Sequence, residues 1–183
     1  AQKLGYSYYD KELVRQVAVE TGFDEKYIEQ AGEYAPSKNW LSFGFAARGS
    51  QGAMEGMSAN DFLWAIQCRV IRSLAEKEPC VIVGRCADYA LAEFPNVVNV
   101  FLHADLQDRI VRIARRHDLT DAKAKDLIIK TDKRRASYYN YYTSKKWGDA
   151  RSYDLCLNTS QISVEDSIEL ILKYRECMRS HNK

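Results

Sequence analysis

Charged side chains follow the ends of two apolar runs, and these residues are well placed to do chemistry. In CVIVGRCADYAL, the run ends at Gly84-Arg85, and Asp88 follows three residues after the arginine. In open parallel sheets, ligands collect at the carboxyl ends of the strands. The guanidinium of an arginine at this position can donate two parallel hydrogen bonds to a phosphate. A nearby carboxylate can accept a hydrogen bond from the amino group of a nucleotide base. The alternative is a structural Arg–Asp pair that closes a turn.

The segment YYD offers a second pair of the same kind. Asp10 ends an apolar run and precedes a helical pattern, and Arg15 follows about one turn later. Capping of the helix explains Asp10 adequately. The same position also lies at the expected carboxyl edge of the sheet, where Arg15 could reach the same crevice.

Two basic stretches follow further along the chain. In DRIVRIARRHDL, Arg109, Arg112 and Arg116 stand three and four residues apart and share one helix face, for which a solvated surface is the alternative. In segment 132–149, the cations precede four tyrosines and a tryptophan; they are Lys133, Arg134 and Arg135. We expect these cations to end a helix and the tyrosines to be irregular. The pattern is typical of a flap over phosphates or of a surface for single-stranded nucleic acid. It is also typical of cations that interact favourably with the negative C-terminal end of a helix dipole.

The elements that must position these residues alternate between strand and helix patterns, which predicts an α/β domain with a parallel sheet. The predicted strands are short and apolar: 6–10, 80–85, 97–104 and 153–159. Helices are predicted after Asp10, over 61–77, after the capping pair Asp105 and Asp108, from Thr120 and after the capping box Ser163–Asp166. In the helix over 61–77, one buried stripe is predicted at Phe62, Ile66, Val70 and Leu74. Residues 36–60, with four glycines, are interpreted as a mobile connection.

Length and composition narrow the class of protein. The 183 residues are predicted to form a single domain, 1–183. The net charge of +2 gives no overall electrostatic field that favours nucleic acid or membranes as partners. No apolar run approaches a length of about 20 residues, which a membrane-spanning helix needs. Five cysteines without a CxxC pair indicate neither a disulfide framework nor a zinc site, so we expect a cytoplasmic protein without a metal site of its own.

Taken in order, five segments resemble the cytidylate kinase-like family of P-loop nucleoside monophosphate kinases: LGYSYYDKEL, CVIVGRCADYAL, VFLHADLQDRIVRIARR, DKRRASYYNYYT, and WGD followed by YDLCLNTS. The resemblance runs from residue 3 to about residue 175. It implies a three-layer α/β fold, with helices on both faces of a parallel sheet, a small acceptor-side region at 36–60 and an Arg-rich lid at 132–149. It also implies transfer of the γ-phosphoryl group of ATP, with Mg²⁺, to CMP or dCMP. A homo-oligomer is compatible with the sequence.

The resemblance assigns roles to individual residues. Those near the acceptor nucleotide are Asp10, Arg15, Arg85, Asp88 and Arg109, with Arg85 on its phosphate or base and Asp88 on cytosine. The lid and the helix leading to it supply the cations that neutralise the transferring phosphoryl group: Arg112, Arg116, Lys133, Arg134 and Arg135. The adenine-side loop corresponds to Asn158 and Thr159.

One part of the family pattern is missing from these residues. No glycine-rich loop ending in Lys-Ser/Thr occurs, and the family order would place that loop and a central strand before Ala1. We expect truncation or omission of about 25–30 residues, or a partner chain that fills the gap, and little ATP-dependent activity from the 183 residues alone. Two alternatives stay open: a non-catalytic nucleotide-binding or sensing domain of the same fold, and a binder of single-stranded nucleic acid.

Overall fold

The computed structural model of the chain describes residues 1–26, 28 and 58–181. The chain divides into two compact units, Ala1–Glu93 and Phe94–Lys183. The single domain over 1–183 stays a prediction. Most of the segment 36–60, expected to be a mobile connection, lies outside the described residues, and its last residues form the start of a helix.

The first unit contains a pair of parallel strands. Strand β1 (Ser7–Tyr9) pairs with β2 (Cys80–Ile82), with Ser7 opposite Cys80 and Tyr9 opposite Ile82. Helix α1 (Lys11–Thr21) follows β1, helix α2 (Ala59–Lys77) precedes β2, and the short helix α3 (Ala87–Ala90) follows β2. Both strands lie where the sequence predicts them.

The core of the first unit lies between α1 and α2. The most deeply buried large side chains come from these two helices: Leu13, Val17, Val70 and Ile71. In the predicted stripe of α2, Ile66, Val70 and Leu74 are buried, whereas Phe62 is only half-buried. Its neighbour Leu63 takes the buried position in that turn, and Phe62 contacts Phe23 edge-on.

The second unit contains the other parallel pair. Strand β3 (Val100–His103) pairs with β4 (Leu155–Asn158), with Val100 opposite Leu155 and His103 opposite Asn158. Its helices are α4 (Leu106–His117), α5 (Asp121–Thr143) and α6 (Val164–His181). Helices α4 and α5 pack around Ile110, Ala124 and Ile128. The alternation of helices with short parallel strands confirms the predicted α/β class.

Helix α5 is longer than the sequence predicts. The expectation that Lys133, Arg134 and Arg135 end a helix and lead into an irregular Tyr-rich segment is wrong, because α5 continues to Thr143. The reason is packing: buried positions recur at helical spacing through the tyrosines. They are Ala124, Ile128, Tyr138, Tyr139 and Thr143.

The helix starts show which predicted caps form. Thr120 and Ser163 accept hydrogen bonds from the backbone N–H groups of Lys123 and Asp166, as a capping residue should. Asp10 and Asp105 occupy the N-cap positions of α1 and α4, but neither carboxylate makes a capping hydrogen bond. The predictions that these two aspartates cap their helices are therefore wrong.

Candidate functional site

Arg85 lies just beyond the carboxyl end of β2. The pairing with β1 extends past the strand, because the N–H of Val83 donates to the carbonyl of Tyr9 at 2.9 Å. The next three residues, Gly84, Arg85 and Cys86, have φ values of 69°, 56° and 53°. This left-handed conformation costs about 1–2 kcal/mol for each residue with a Cβ. The backbone at Arg85 is therefore held in place by its surroundings.

The guanidinium of Arg85 contains a buried donor. Its Nη1 atom is inaccessible to solvent and has no hydrogen-bond partner within the part of the chain that the structure describes. A buried charged N–H without an acceptor is unfavourable, whereas an anion would supply a strong, charge-assisted acceptor. The position and chemistry of Arg85 suit an anionic group at this end of β2.

Side chains of helix α2 donate hydrogen bonds to the segment that follows β2. The amide Nε2 of Gln67 donates to the carbonyl of Arg85 at 3.1 Å, and the Nε of Arg72 donates to the carbonyl of Ala90 at 2.9 Å. Gln67 is 3% exposed and was not among the sequence candidates. The signal that could have identified it is a polar residue on the buried stripe of an amphipathic helix.

The other residues of the first unit that the sequence predicts on the acceptor side are Asp10, Asp88 and Arg15. Asp10 is half-buried where β1 passes into α1, and Asp88 is half-buried in the first turn of α3. Arg15 is exposed, and its Nε lies 3.8 Å from Oε2 of Glu25. An exposed pair of this kind contributes little to stability, so the pair with Glu25 does not fix the orientation of Arg15.

In the second unit, the guanidinium of Arg109 is already engaged. Its two terminal nitrogens contact both carboxylate oxygens of Asp132, each at 2.8 Å, and this ion pair links α4 to α5. Arg112 and Arg116, on the same helix, are exposed. The basic face predicted from the sequence is therefore divided between one residue that joins the two helices and two that face solvent.

The cations that the sequence predicts for a lid lie inside α5. Lys133 and Arg135 are exposed, whereas Arg134 is half-buried and donates from Nη2 to Oγ1 of Thr131 at 3.2 Å. Consecutive residues of an α-helix point about 100° apart, so these three side chains do not share one face.

Beyond α5, the ring of Phe101 on β3 contacts Trp147 and Tyr153, at centroid distances of 5.5 and 4.8 Å.

The loop after β4 uses its polar groups within the protein. Nδ2 of Asn158 donates to Oδ1 of Asp105 at 3.2 Å, and Oδ1 of Asn158 accepts from the N–H of Ser160 at 3.0 Å. Thr159 donates from Oγ1 to the carbonyl of His103 at 3.1 Å. These bonds join the carboxyl ends of β3 and β4. A role for Asn158 and Thr159 in binding adenine stays a prediction.

The described part of the chain contains no group of three or more His, Cys, Asp or Glu side chains arranged to hold a metal ion. None of its helices combines the length and the apolar character needed to cross a membrane.

Comparisons with known proteins identify relatives of the chain. The family model described as "Cytidylate kinase-like family" matches residues 1–161. Cytidylate kinases of Saccharolobus islandicus, strains L.S.2.15 / Lassen #1 and M.14.25 / Kamchatka #1, are each 26% identical over 106 residues. These matches cover 58% of the chain and only 56% of the length of each relative.

A solved structure is similar over more of the chain. It is the crystal structure of an uncharacterized protein from Eubacterium ventriosum ATCC 27560, with a TM-score of 0.63 and 27% sequence identity. The match covers 90% of both chains. The similarity therefore includes the fold as well as the sequence.

Proposed function

The chain belongs to the cytidylate kinase-like family, and from this premise we propose that the protein transfers the γ-phosphoryl group of ATP to CMP or dCMP. The observation that supports the proposal most directly is the buried Nη1 of Arg85 at the carboxyl end of β2. A nucleoside monophosphate carries the anion that this donor lacks. Arg85 would bind the acceptor phosphate with the fork geometry that suits arginine to phosphate.

The acceptor base would be recognised beside that phosphate. Asp88 follows Arg85 by three residues, and its carboxylate would accept from the amino group of cytosine. A carboxylate favours cytosine over uracil, because uracil presents a carbonyl oxygen where cytosine presents the amino group. Asp10, at the carboxyl end of β1, and Arg15, one turn later, would complete the acceptor side.

Phosphoryl transfer requires positioning and charge neutralisation rather than covalent participation by the protein. The cations proposed to neutralise the transferring group are Arg112, Arg116, Lys133, Arg134 and Arg135. Arg109 would keep α4 and α5 together through Asp132 while its neighbours contact phosphate. The donor would arrive as ATP with Mg²⁺, which is usually bound through the phosphates and one or two carboxylates and neutralises developing charge.

The test of the acceptor site is CMP binding measured by calorimetry. We expect Arg85→Ala to weaken CMP binding about 10–100-fold, the usual effect of losing charge-assisted hydrogen bonds. Arg69→Ala is the matched control, because Arg69 is an exposed arginine of the same unit that pairs with Glu20. Equal affinity in Arg85→Ala and the wild type, or no CMP binding by the wild type, would contradict the proposal.

Transfer itself is assayed on the product of the complete reading frame, with ATP, Mg²⁺ and CMP, dCMP or UMP. The 183-residue chain is assayed beside it, and we expect nucleotide binding with little transfer, because its sequence has no phosphate loop of the Gly-Lys-Ser/Thr type. The second candidate is a non-catalytic nucleotide-binding domain of the same fold. CMP binding without transfer by the complete product would select that candidate.

A further inference from the structure

We propose that Gln67 is a positioning residue for the acceptor phosphate, acting through the backbone of Arg85. The inference rests on the proposed function, since it takes Arg85 as the group that binds phosphate. Gln67 lies on α2, buried, 18 residues before Arg85 in sequence. Its Nε2 donates to the backbone carbonyl of Arg85 at 3.1 Å.

The backbone at Arg85 needs such support. Gly84, Arg85 and Cys86 are all left-handed, and the chain then enters α3, which has only four residues. Side chains with a Cβ avoid this conformation, so two consecutive residues adopt it only where the surroundings enforce it. The amide of Gln67 fixes the carbonyl of the middle residue. The direction of the Arg85 side chain depends on the backbone angles that this hydrogen bond holds.

A second hydrogen bond from α2 provides a comparison. It distinguishes positioning of the Arg85 side chain from general support of the segment after β2. Arg72 donates to the carbonyl of Ala90, five residues beyond Arg85 and at the end of α3. Both contacts attach the same segment to the same helix, and both end on a backbone carbonyl. Only the contact from Gln67 is made at the residue proposed to bind phosphate. Loss of either contact should loosen the segment, but only loss of the Gln67 contact should reorient the guanidinium.

The experiment measures the affinity for CMP and for cytidine in Gln67→Met and Arg72→Met. Methionine has nearly the volume of glutamine and cannot donate a hydrogen bond. We expect Gln67→Met to weaken CMP binding about tenfold, in line with the loss of one hydrogen bond, and Arg72→Met to change it less than about twofold. Binding of cytidine, which has no phosphate, should be the same in both variants.

A double-mutant cycle distinguishes action through Arg85 from a general loss of stability. If Gln67 acts through Arg85, Gln67→Met should not weaken CMP binding further in the Arg85→Ala background. Equal effects of Gln67→Met in both backgrounds would overturn the inference. Gln67→Leu also removes the donor without adding a charge, so it should give the same coupling if the methionine variant does not fold.

The two proposals fail in different ways. If the wild type binds CMP, Arg85→Ala weakens that binding and Gln67→Met leaves it unchanged, only the positioning role is wrong. If the wild type binds no CMP, the proposed function and the inference that rests on it both fail.

Discussion

Arg109 and Asp132 join α4 to α5 through two parallel hydrogen bonds, Nη1 to Oδ2 and Nη2 to Oδ1, each 2.8 Å long. The two side chains are 33% and 27% exposed, so the pair is partly removed from water. Two-pronged arginine–carboxylate pairs are stronger and more directional than single contacts. This pair lies near the apolar contacts of the same two helices, and it fixes their register at the level of the predicted lid cations.

Removing either partner of this pair should destabilise the protein. We expect Arg109→Ala and Asp132→Ala each to lower the free energy of unfolding by about 1–2 kcal/mol, typical of charged hydrogen bonds that are partly buried. The double variant should lose about as much as either single variant. Urea unfolding provides the measurement. The control is Lys173→Ala, which breaks an exposed pair with Glu176 and should have no detectable effect.

The cysteines should differ sharply in reactivity. Burial raises the pKa of Cys68 to about 11 and that of Cys86 to about 12, whereas Cys156 and Cys177 are exposed. The thiolate is the reactive form. With iodoacetamide near neutral pH, we expect labelling of the two exposed cysteines and protection of the two buried ones, as read by peptide mass spectrometry.

The control for the labelling is the same protein in denaturing urea, where all the cysteines should react. Labelling of Cys86 as fast as Cys156 under native conditions would contradict the burial of the residue that follows Arg85. The same measurement therefore also tests whether the segment after β2 is held against α2.

The hydrogen bond between Tyr9 and Glu78 should make stability depend on pH. The Tyr9 hydroxyl donates to Oε1 of Glu78 at 2.7 Å, which lowers the pKa of the Glu78 carboxyl below its ordinary 4.5. The same bond, followed by burial, raises the pKa of Tyr9 above its ordinary 10.0. A lowered carboxyl pKa contributes stability above the unfolded value, and that stability is lost as the pH falls. A raised tyrosine pKa contributes below its unfolded value, and that contribution is lost as the pH rises.

The Tyr9–Glu78 hydrogen bond therefore contributes most to stability at pH values between the unfolded pKa of Glu78 and that of Tyr9. We expect Tyr9→Phe to be less stable than the wild type at about pH 7, and the difference to shrink at about pH 3, because that pH lies below the ordinary pKa of a glutamate carboxyl. Urea unfolding at both pH values measures it. Tyr8→Phe is the control, because Tyr8 is exposed and points to the other face of β1. A difference that grows at the acid pH would contradict the prediction.

Much of the fold could be predicted from the sequence because its strands are short apolar runs with clear boundaries. All the described strands fall inside predicted ranges, and the caps at Thr120 and Ser163 follow from side-chain type and spacing. The Tyr-rich part of α5 is not predicted from the sequence, because tyrosine is a weaker helix former than alanine and a run of tyrosines favours irregular structure on propensity alone. The correct signal is the placement of Ala124, Ile128, Tyr139 and Thr143 on one face of a continuous helix.

The site was less predictable because its side chains are engaged by residues distant in sequence. The end of an apolar strand indicates Arg85, but no motif indicates Gln67, whose role depends on which side of α2 faces the segment after β2. The sequence pattern places Arg109 on the same helix face as the exposed Arg112 and Arg116. Helical spacing shows which residues share a face, but it does not show which carboxylate of another helix lies opposite them. Asp132, its partner, is 23 residues away and on another helix.

The contact between Asn158 and Asp105 allows a structural role to be separated from a role in binding nucleotide. Nδ2 of Asn158 donates to Oδ1 of Asp105 at 3.2 Å, where the carboxyl ends of β3 and β4 meet. In Asn158→Asp, two carboxylates would face each other, and we expect a loss of about 0.5–1 kcal/mol in the free energy of unfolding. Exchanging the two residues, as Asp105→Asn with Asn158→Asp, restores an amide opposite a carboxylate and should recover most of that loss.

The exchange variant is informative because it keeps the contact and moves the amide. If Asn158 only joins the two strands, the variant should regain stability and bind ATP as the wild type does. If the amide of Asn158 also contacts adenine, as the family resemblance implies, stability should return while ATP affinity remains reduced. Urea unfolding and calorimetric titration with ATP separate these results. An exchange variant as unstable as Asn158→Asp alone would show that the contact with Asp105 does not hold the loop.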